Sequence, residues 1–122
     1  MSNHLINNSF VININSSIKE AMESITDNQR GTIIVIDDDF YVQGIVADGD
    51  IRRALLRGAA MMTPISKIIN TNPTVLNKND IENGKAEKIF NEEAQINILP
   101  VIDENNKLID IVVRSPHKRK EF

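Results

Sequence analysis

The sequence predicts an α+β fold built from two tandem β-α-β-β units related by a pseudo-twofold axis. Three observations carry that expectation. An apolar run closing on aspartate, Thr32-Ile33-Ile34-Val35-Ile36-Asp37, recurs 66 positions later as Ile98-Leu99-Pro100-Val101-Ile102-Asp103. Each copy is followed by a polar turn and a second apolar strand, and each is preceded by apolar residues at helical spacing. A repeat at fixed spacing sets the number of units before any local propensity is weighed.

The elements follow in order. Phe10-Val11-Ile12-Asn13-Ile14 reads as a short opening strand, matched in unit two by Pro73-Thr74-Val75-Leu76. Ser17-Ile18-Lys19-Glu20 has capping-box spacing, in which serine and glutamate serve each other's backbone N–H groups. Ile18, Ala21, Met22 and Ile25 then share one helical face, and Gly31 closes the loop. In unit two Asn79-Asp80-Ile81-Glu82 repeats the cap, with Ala86, Ile89 and Phe90 facing inward. Asn83-Gly84 inside that helix costs about 1 kcal/mol against alanine and predicts an irregular first turn. Asp37-Asp38-Asp39 and Asp103-Glu104-Asn105-Asn106 are hairpin turns, leading into the strands 41–47 and 107–113. Pro100 reads as the start of a strand.

After the first hairpin, the stretch from Asp48 to Gly58 reads as a helix with Asp48 as N-cap and Gly58 as its stop. A linker from Ala59 to Pro64, with Met61-Met62 as packing residues, and a short helix from Ile65 to Ile69 lead into unit two. The matching stretch after the second hairpin, Arg114-Ser115-Pro116-His117-Lys118-Arg119-Lys120, starts a helix poorly. The expected organisation is unit one with its linker over 1–70, unit two over 71–114 without a final helix, and a basic tail or connector over 115–122.

Composition narrows the function. At 122 residues with 41% apolar and 25% charged residues, the chain has an ordinary globular composition. With no cysteine there is no thiolate zinc site and no cysteine nucleophile. His4 and His117 lie near the ends, which disfavours histidine metal sites and histidine-dependent triads. The net charge of −3, with no tryptophan and 4% aromatics, offers neither a general pull on nucleic acid nor a stacking platform. The terminal basic cluster, Arg114, Lys118, Arg119 and Lys120 against Glu121, is a solvated tail in this reading. No apolar run has membrane-spanning length and the N-terminus lacks a secretory pattern, so the expected setting is the cytoplasm. No set of carboxylates and bases suggests an enzyme.

The order of these pieces, above all Gly44-Ile45-Val46-Ala47-Asp48-Gly49-Asp50-Ile51-Arg52-Arg53 after an apolar strand ending in aspartate, resembles a tandem pair of CBS domains over about residues 10–114. Asp-Gly-Asp-Ile-Arg-Arg-Ala-Leu-Leu-Arg-Gly is most similar to the pairs attached to bacterial sugar-phosphate enzymes. Those are nucleotidyltransferases with the pair at the N-terminus and arabinose-5-phosphate isomerases with it at the C-terminus; Met1 just before the first repeat favours the former. The resemblance implies a non-catalytic regulatory module that takes an adenosine-type ligand such as AMP, ADP or ATP between its repeats. It also implies a homodimer, shaped as a flat disc, with the apolar side of Ile51, Leu55 and Leu56 as a contact, and an attached or partner catalytic domain.

By the same resemblance Asp50 takes the ribose hydroxyls, a role suited to an acceptor-only carboxylate. Ala47, Asp48 and Gly49 lie beside it at a helix N-terminus, where free N–H groups favour a phosphate, and Arg52, Arg53 or Arg57 can add a guanidinium clamp. Thr74 and the backbone of Ile96, Asn97 and Ile98 form the base pocket. Two departures stand out. Ala47 occupies a position where the family has a hydroxyl, and unit two carries Val113 at the hydroxyl and Pro116 at the ribose carboxylate. At most one good nucleotide site per chain is therefore expected. The alternatives stay open: Asp50 as an ordinary helix-N-terminal acid, Asp37–Asp39 as a Mg²⁺ site or receiver-type acidic pocket, and the whole chain as a dimerisation module without a small ligand.

Overall fold

The computed structural model describes residues 9–115. Unit one comprises β1 (Val11–Asn13), α1 (Ile18–Asn28), β2 (Thr32–Ile36), β3 (Val42–Ala47) and α2 (Asp48–Leu56). Unit two comprises β4 (Leu76–Asn77), a 3-10 turn (Lys78–Asn83), α3 (Lys85–Glu92), β5 (Ile98–Ile102) and β6 (Leu108–Val113). A 3-10 turn over Ile65–Lys67 lies between them. Each unit forms a three-stranded sheet, ordered β1-β2-β3 and β4-β5-β6, with the outer pair parallel and the hairpin antiparallel. Even the hairpin bulge repeats, between Val35 and Ile36 and again between Val101 and Ile102.

The near-continuous apolar strands are explained by burial on both faces, because alternate residues of a strand point to opposite sides. Ile33 and Val35 of β2 pack under the helices with Ile18, Ala21, Ile25, Val46, Ile51 and Ile65. Ile34 and Ile36 face the other way, into a second cluster with Val11, Val42 and, from unit two, Ile98 and Leu108. Leu99 and Val101 pack with Leu76 beneath Ala86, Ile89 and Phe90. The middle cluster is the seam between units. Each fully buried aliphatic side chain there contributes about 1.5–3 kcal/mol of transfer free energy.

The hairpin tips also join across the seam. Val42 N–H donates to Asn106 O (3.0 Å) and Leu108 N–H to Phe40 O (2.8 Å). Asn106 Nδ2 donates to Val42 O (3.1 Å), and Lys107 Nζ lies 5.2 Å from the centre of the Tyr41 ring. Both tips bend the same way: Asp37 Oδ1 accepts from the N–H groups of Asp39 and Tyr41, and Asp103 Oδ1 from those of Asn105 and Lys107. These two bonds and the nearby lysine hold the Asp103 carboxyl below its ordinary value. The aspartate run is thus a hairpin turn, and among the described residues no cluster of metal-ligating side chains is present.

Several expectations need correction. Ser17 caps α1 as predicted, with Ser17 N–H on Glu20 Oε1 (2.9 Å) and Glu20 N–H on Ser17 Oγ (3.2 Å). The cap of α2 is Ala47, not Asp48: Ala47 is extended, its N–H is bonded to Asp50 Oδ2 (2.9 Å), and the helix has already begun at Asp48, whose own N–H donates to Gly31 O (2.9 Å). Gly58 ends α2 in a Schellman arrangement, its N–H on Leu55 O and that of Ala59 on Ala54 O. In unit two the cap is Asn77, and the predicted helix divides at Gly84, whose φ of 71° turns a 3-10 segment into α3. Pro100 lies inside β5; the outer ladder begins at Val101, so the missing N–H is tolerated. Ile51 is buried in the core instead of facing a partner, whereas Leu56 is exposed. Met62 is exposed rather than packed. Val46 is fully buried beneath the helices of unit one, while Val112, 66 positions later, is only half-buried, since no described helix follows β6.

Candidate functional site

The end of the molecule opposite the hairpin tips gathers most of the predicted site residues. At the start of α2, Asp50 Oδ2 accepts the N–H of Ala47 (2.9 Å) and its Oδ1 accepts Arg53 Nη2 (2.8 Å). Half a capping box therefore forms, with alanine unable to return the bond. Asp50 remains partly open, with 29% of its side chain exposed against 61% for Arg53. A carboxylate has about four lone-pair directions, so these two bonds leave acceptor capacity for a diol. Gly49 lies against the Arg53 guanidinium, where a Cβ would sit 3.3 Å from Nη1. Asp48 is exposed and, with Met22, Thr26, Ile51, Arg52 and Leu55, lines a groove of about 270 Å³ between α1 and α2.

On the unit-two side, Ile96 and Asn97 are half-buried and Ile98 is buried at the start of β5. The seam connects them to α2: Asn97 Nδ2 donates to Arg30 O (3.0 Å), and the next residue, Gly31, accepts from Asp48. The structure thus brings Ala47, Asp48, Gly49, Asp50 and Arg53 to one side of a short bridge and Ile96, Asn97 and Ile98 to the other. Thr74 is exposed in the segment just before β4. Pro116 and the basic residues after it lie outside the described residues.

Two residues escaped sequence reasoning. Arg114, grouped by composition with the basic tail, is held in place by five contacts. Its Nη2 donates to Phe90 O, Glu93 O and Ile96 O (2.9, 3.0 and 2.7 Å), and its Nε to Ile96 O and Asn97 Oδ1 (both 3.1 Å). Its guanidinium also lies 4.8 Å from the centre of the Phe90 ring. A cation at the C-terminal end of α3 meets the negative end of the helix dipole and its unpaired carbonyls. As a result, the carbonyls of Ile96 and Asn97 offered to a base are engaged by Arg114, the latter through the Arg114 N–H (2.7 Å). Arg30, the second, donates from Nε to Arg114 O (3.3 Å). The one signal available was position: Arg114 stands 66 residues after Asp48, directly beyond its strand.

Comparison with known proteins agrees with the two-unit fold. The CBS domain family model matches residues 1–57. Arabinose 5-phosphate isomerase GutQ of Shigella flexneri is 33% identical over 95 residues, covering 78% of this chain and 29% of that protein. The Escherichia coli K12 protein of the same name is 32% identical with the same coverage. The chain therefore spans under a third of the length of these curated relatives. Among solved structures, the CBS domain protein PAE2072 of Pyrobaculum aerophilum complexed with AMP has a TM-score of 0.66 at 21% identity, covering 84% of this chain and 78% of that one. CBSX2 of Arabidopsis thaliana in complex with AMP gives 0.68 at 22%, with 88% and 83% covered. A CBS domain pair/ACT domain protein of Thermotoga maritima gives 0.69 at 19%, with 84% and 79% covered. Among the described residues no helix is long and apolar enough to cross a membrane. Residues 1–57 thus match the CBS domain, and the two units together have the fold of a CBS domain pair.

Proposed function

We propose that this chain is a regulatory, non-catalytic module that binds an adenosine-type nucleotide between its two units, with the ribose on Asp50, and biases a sugar-phosphate enzyme attached to it or partnered with it. The carrying observation is the start of α2, where a partly open carboxylate, the Arg53 guanidinium and Gly49 adjoin a helix N-terminus. Two structures of the same fold are AMP complexes, which supports the ligand class. The isomerase relatives support the class of attached enzyme; a nucleotidyltransferase is the other sugar-phosphate enzyme that fits. A ligand acts on such a partner only by preferring one arrangement of the two units over another. The module works as a homodimer in a cytoplasmic setting.

Thermal unfolding with AMP, ADP and ATP tests this reading. A ligand at 100 times its dissociation constant stabilises the fold by about 2.7 kcal/mol. A shift that disappears in Asp50→Ala supports ribose recognition by Asp50. No shift with any of the three refutes the site. The second reading, a dimerisation module without a small ligand, draws on Ala47 in place of a hydroxyl and on the engagement of the Ile96 and Asn97 carbonyls by Arg114. It predicts a dimer by size-exclusion chromatography that nucleotide leaves unchanged.

A further inference from the structure

Where unit one meets unit two at the α2 end, three side chains close a ring of hydrogen bonds. Arg30 Nε donates to Arg114 O, Arg114 Nε donates to Asn97 Oδ1, and Asn97 Nδ2 donates back to Arg30 O, at 3.3, 3.1 and 3.0 Å. All three bonds are partly buried, and both ends of the Asn97 amide are used. Each member of the ring is tied to a different piece of structure. Arg30 precedes Gly31, whose carbonyl anchors the first N–H of α2. Asn97 precedes β5. Arg114 follows β6, and its backbone N–H is itself bonded to Asn97 O. Arg30 has no carboxylate partner among the described residues, so its charge is not drawn elsewhere.

We infer that this Arg30–Asn97–Arg114 ring couples the N-terminus of α2 to the point where the chain leaves β6. The reasoning is mechanical. A shift of Asp48 and Asp50 moves the Gly31 carbonyl, hence the Arg30 peptide, and so changes the bonds Arg30 makes to Asn97 and Arg114. Arg114 in turn is fixed to the end of α3 through Phe90 O and Glu93 O, so the exit of β6 cannot follow the shift without disturbing that anchor. The ligand-driven form of this coupling rests on the nucleotide reading above; the ring itself does not.

Amide hydrogen exchange on the full 122-residue chain separates the two. Without ligand, Asp50→Ala perturbs the start of α2 directly. It should accelerate exchange of the Arg114 amide by about fivefold or more, beyond any change in the β5 amides, in keeping with ordinary coupling strengths. Arg30→Ala, which removes the bond to Arg114 O and leaves the one from Asn97 to Arg30 O, should weaken that response, and Arg30→Lys, which keeps a donor, should restore part of it. An Arg114 amide that ignores Asp50→Ala, or responds equally with Arg30→Ala, overturns the inference. If Asp50→Ala fails to fold, Asp50→Asn serves in its place. In the second arm, AMP is added and its binding is read separately by calorimetry. Bound AMP that leaves Arg114 exchange unchanged refutes transmission while leaving the site standing. No AMP binding, with a response to Asp50→Ala that Arg30→Ala weakens, refutes the nucleotide reading and upholds the ring.

Discussion

Replacing Arg114 by methionine keeps the aliphatic stem and removes the guanidinium, which isolates what that charged group contributes. Three hydrogens, one on Nε and two on Nη2, serve the carbonyls of Phe90, Glu93 and Ile96 and the amide oxygen of Asn97. Hydrogen bonds to a charged group are worth about 1.5–3 kcal/mol each. The helix-terminus charge adds about 0.3–1 kcal/mol, and the Phe90 stacking about 0.5–1 kcal/mol. The site is half-buried, so water replaces part of what is lost, and a net cost of about 3 kcal/mol follows. Urea unfolding with an m-value of about 1–3 kcal/mol/M would show this as a midpoint lowered by about 1–3 M at unchanged slope. Arg114→Lys should recover less than half, because a compact ammonium cannot reach carbonyls on both sides of the α3–β5 turn. A loss below about 1 kcal/mol, or full recovery by lysine, would refute the view that this fork ties the end of β6 to the α3–β5 turn.

Gly44→Ala should destabilise by about 2–3 kcal/mol in the same assay, because a Cβ there would lie 2.7 Å from Ile69 Cγ1 and strike the Asn70 carbonyl, which Ile45 N–H holds in place. For Asp103, the carboxyl is held below its ordinary value of 3.8, so its contribution is fully present above that pH and is lost as pH falls through the lower folded value. Asp103→Asn should therefore lower stability at pH 7 and progressively less as the pH falls below 3.8, and an effect that does not change with pH would sink the assignment.

The strands and hairpins were legible because burial on both faces leaves unbroken apolar runs, and because the 66-residue spacing reports each unit twice. Helix boundaries were less so. Asp48 looks like a cap in isolation, but Ala47 is extended and its N–H goes to Asp50 Oδ2, which sets the cap one residue earlier. The site was half legible. Asp50, Arg53 and Gly49 sit together within one helical turn, so their spacing suffices. Arg30 meets Arg114 across 84 residues of chain, and nothing local in the sequence marks either as a seam residue. Composition even pointed the wrong way, by placing Arg114 with a solvated cluster.

The joined hairpin tips bear on how the chain folds. Within each unit the pairings are local, but Val42 and Asn106 are 64 residues apart. Bringing such distant points together costs about 4 kcal/mol of chain entropy, whichever contact forms first. Once that closure is made, the contacts of Tyr41, Phe40 and Leu108 and the seam cluster behind them add almost no further chain restriction. Docking of the two units should therefore be all-or-none, with local units collecting early and a single late step that turns two sheets into one cooperative body.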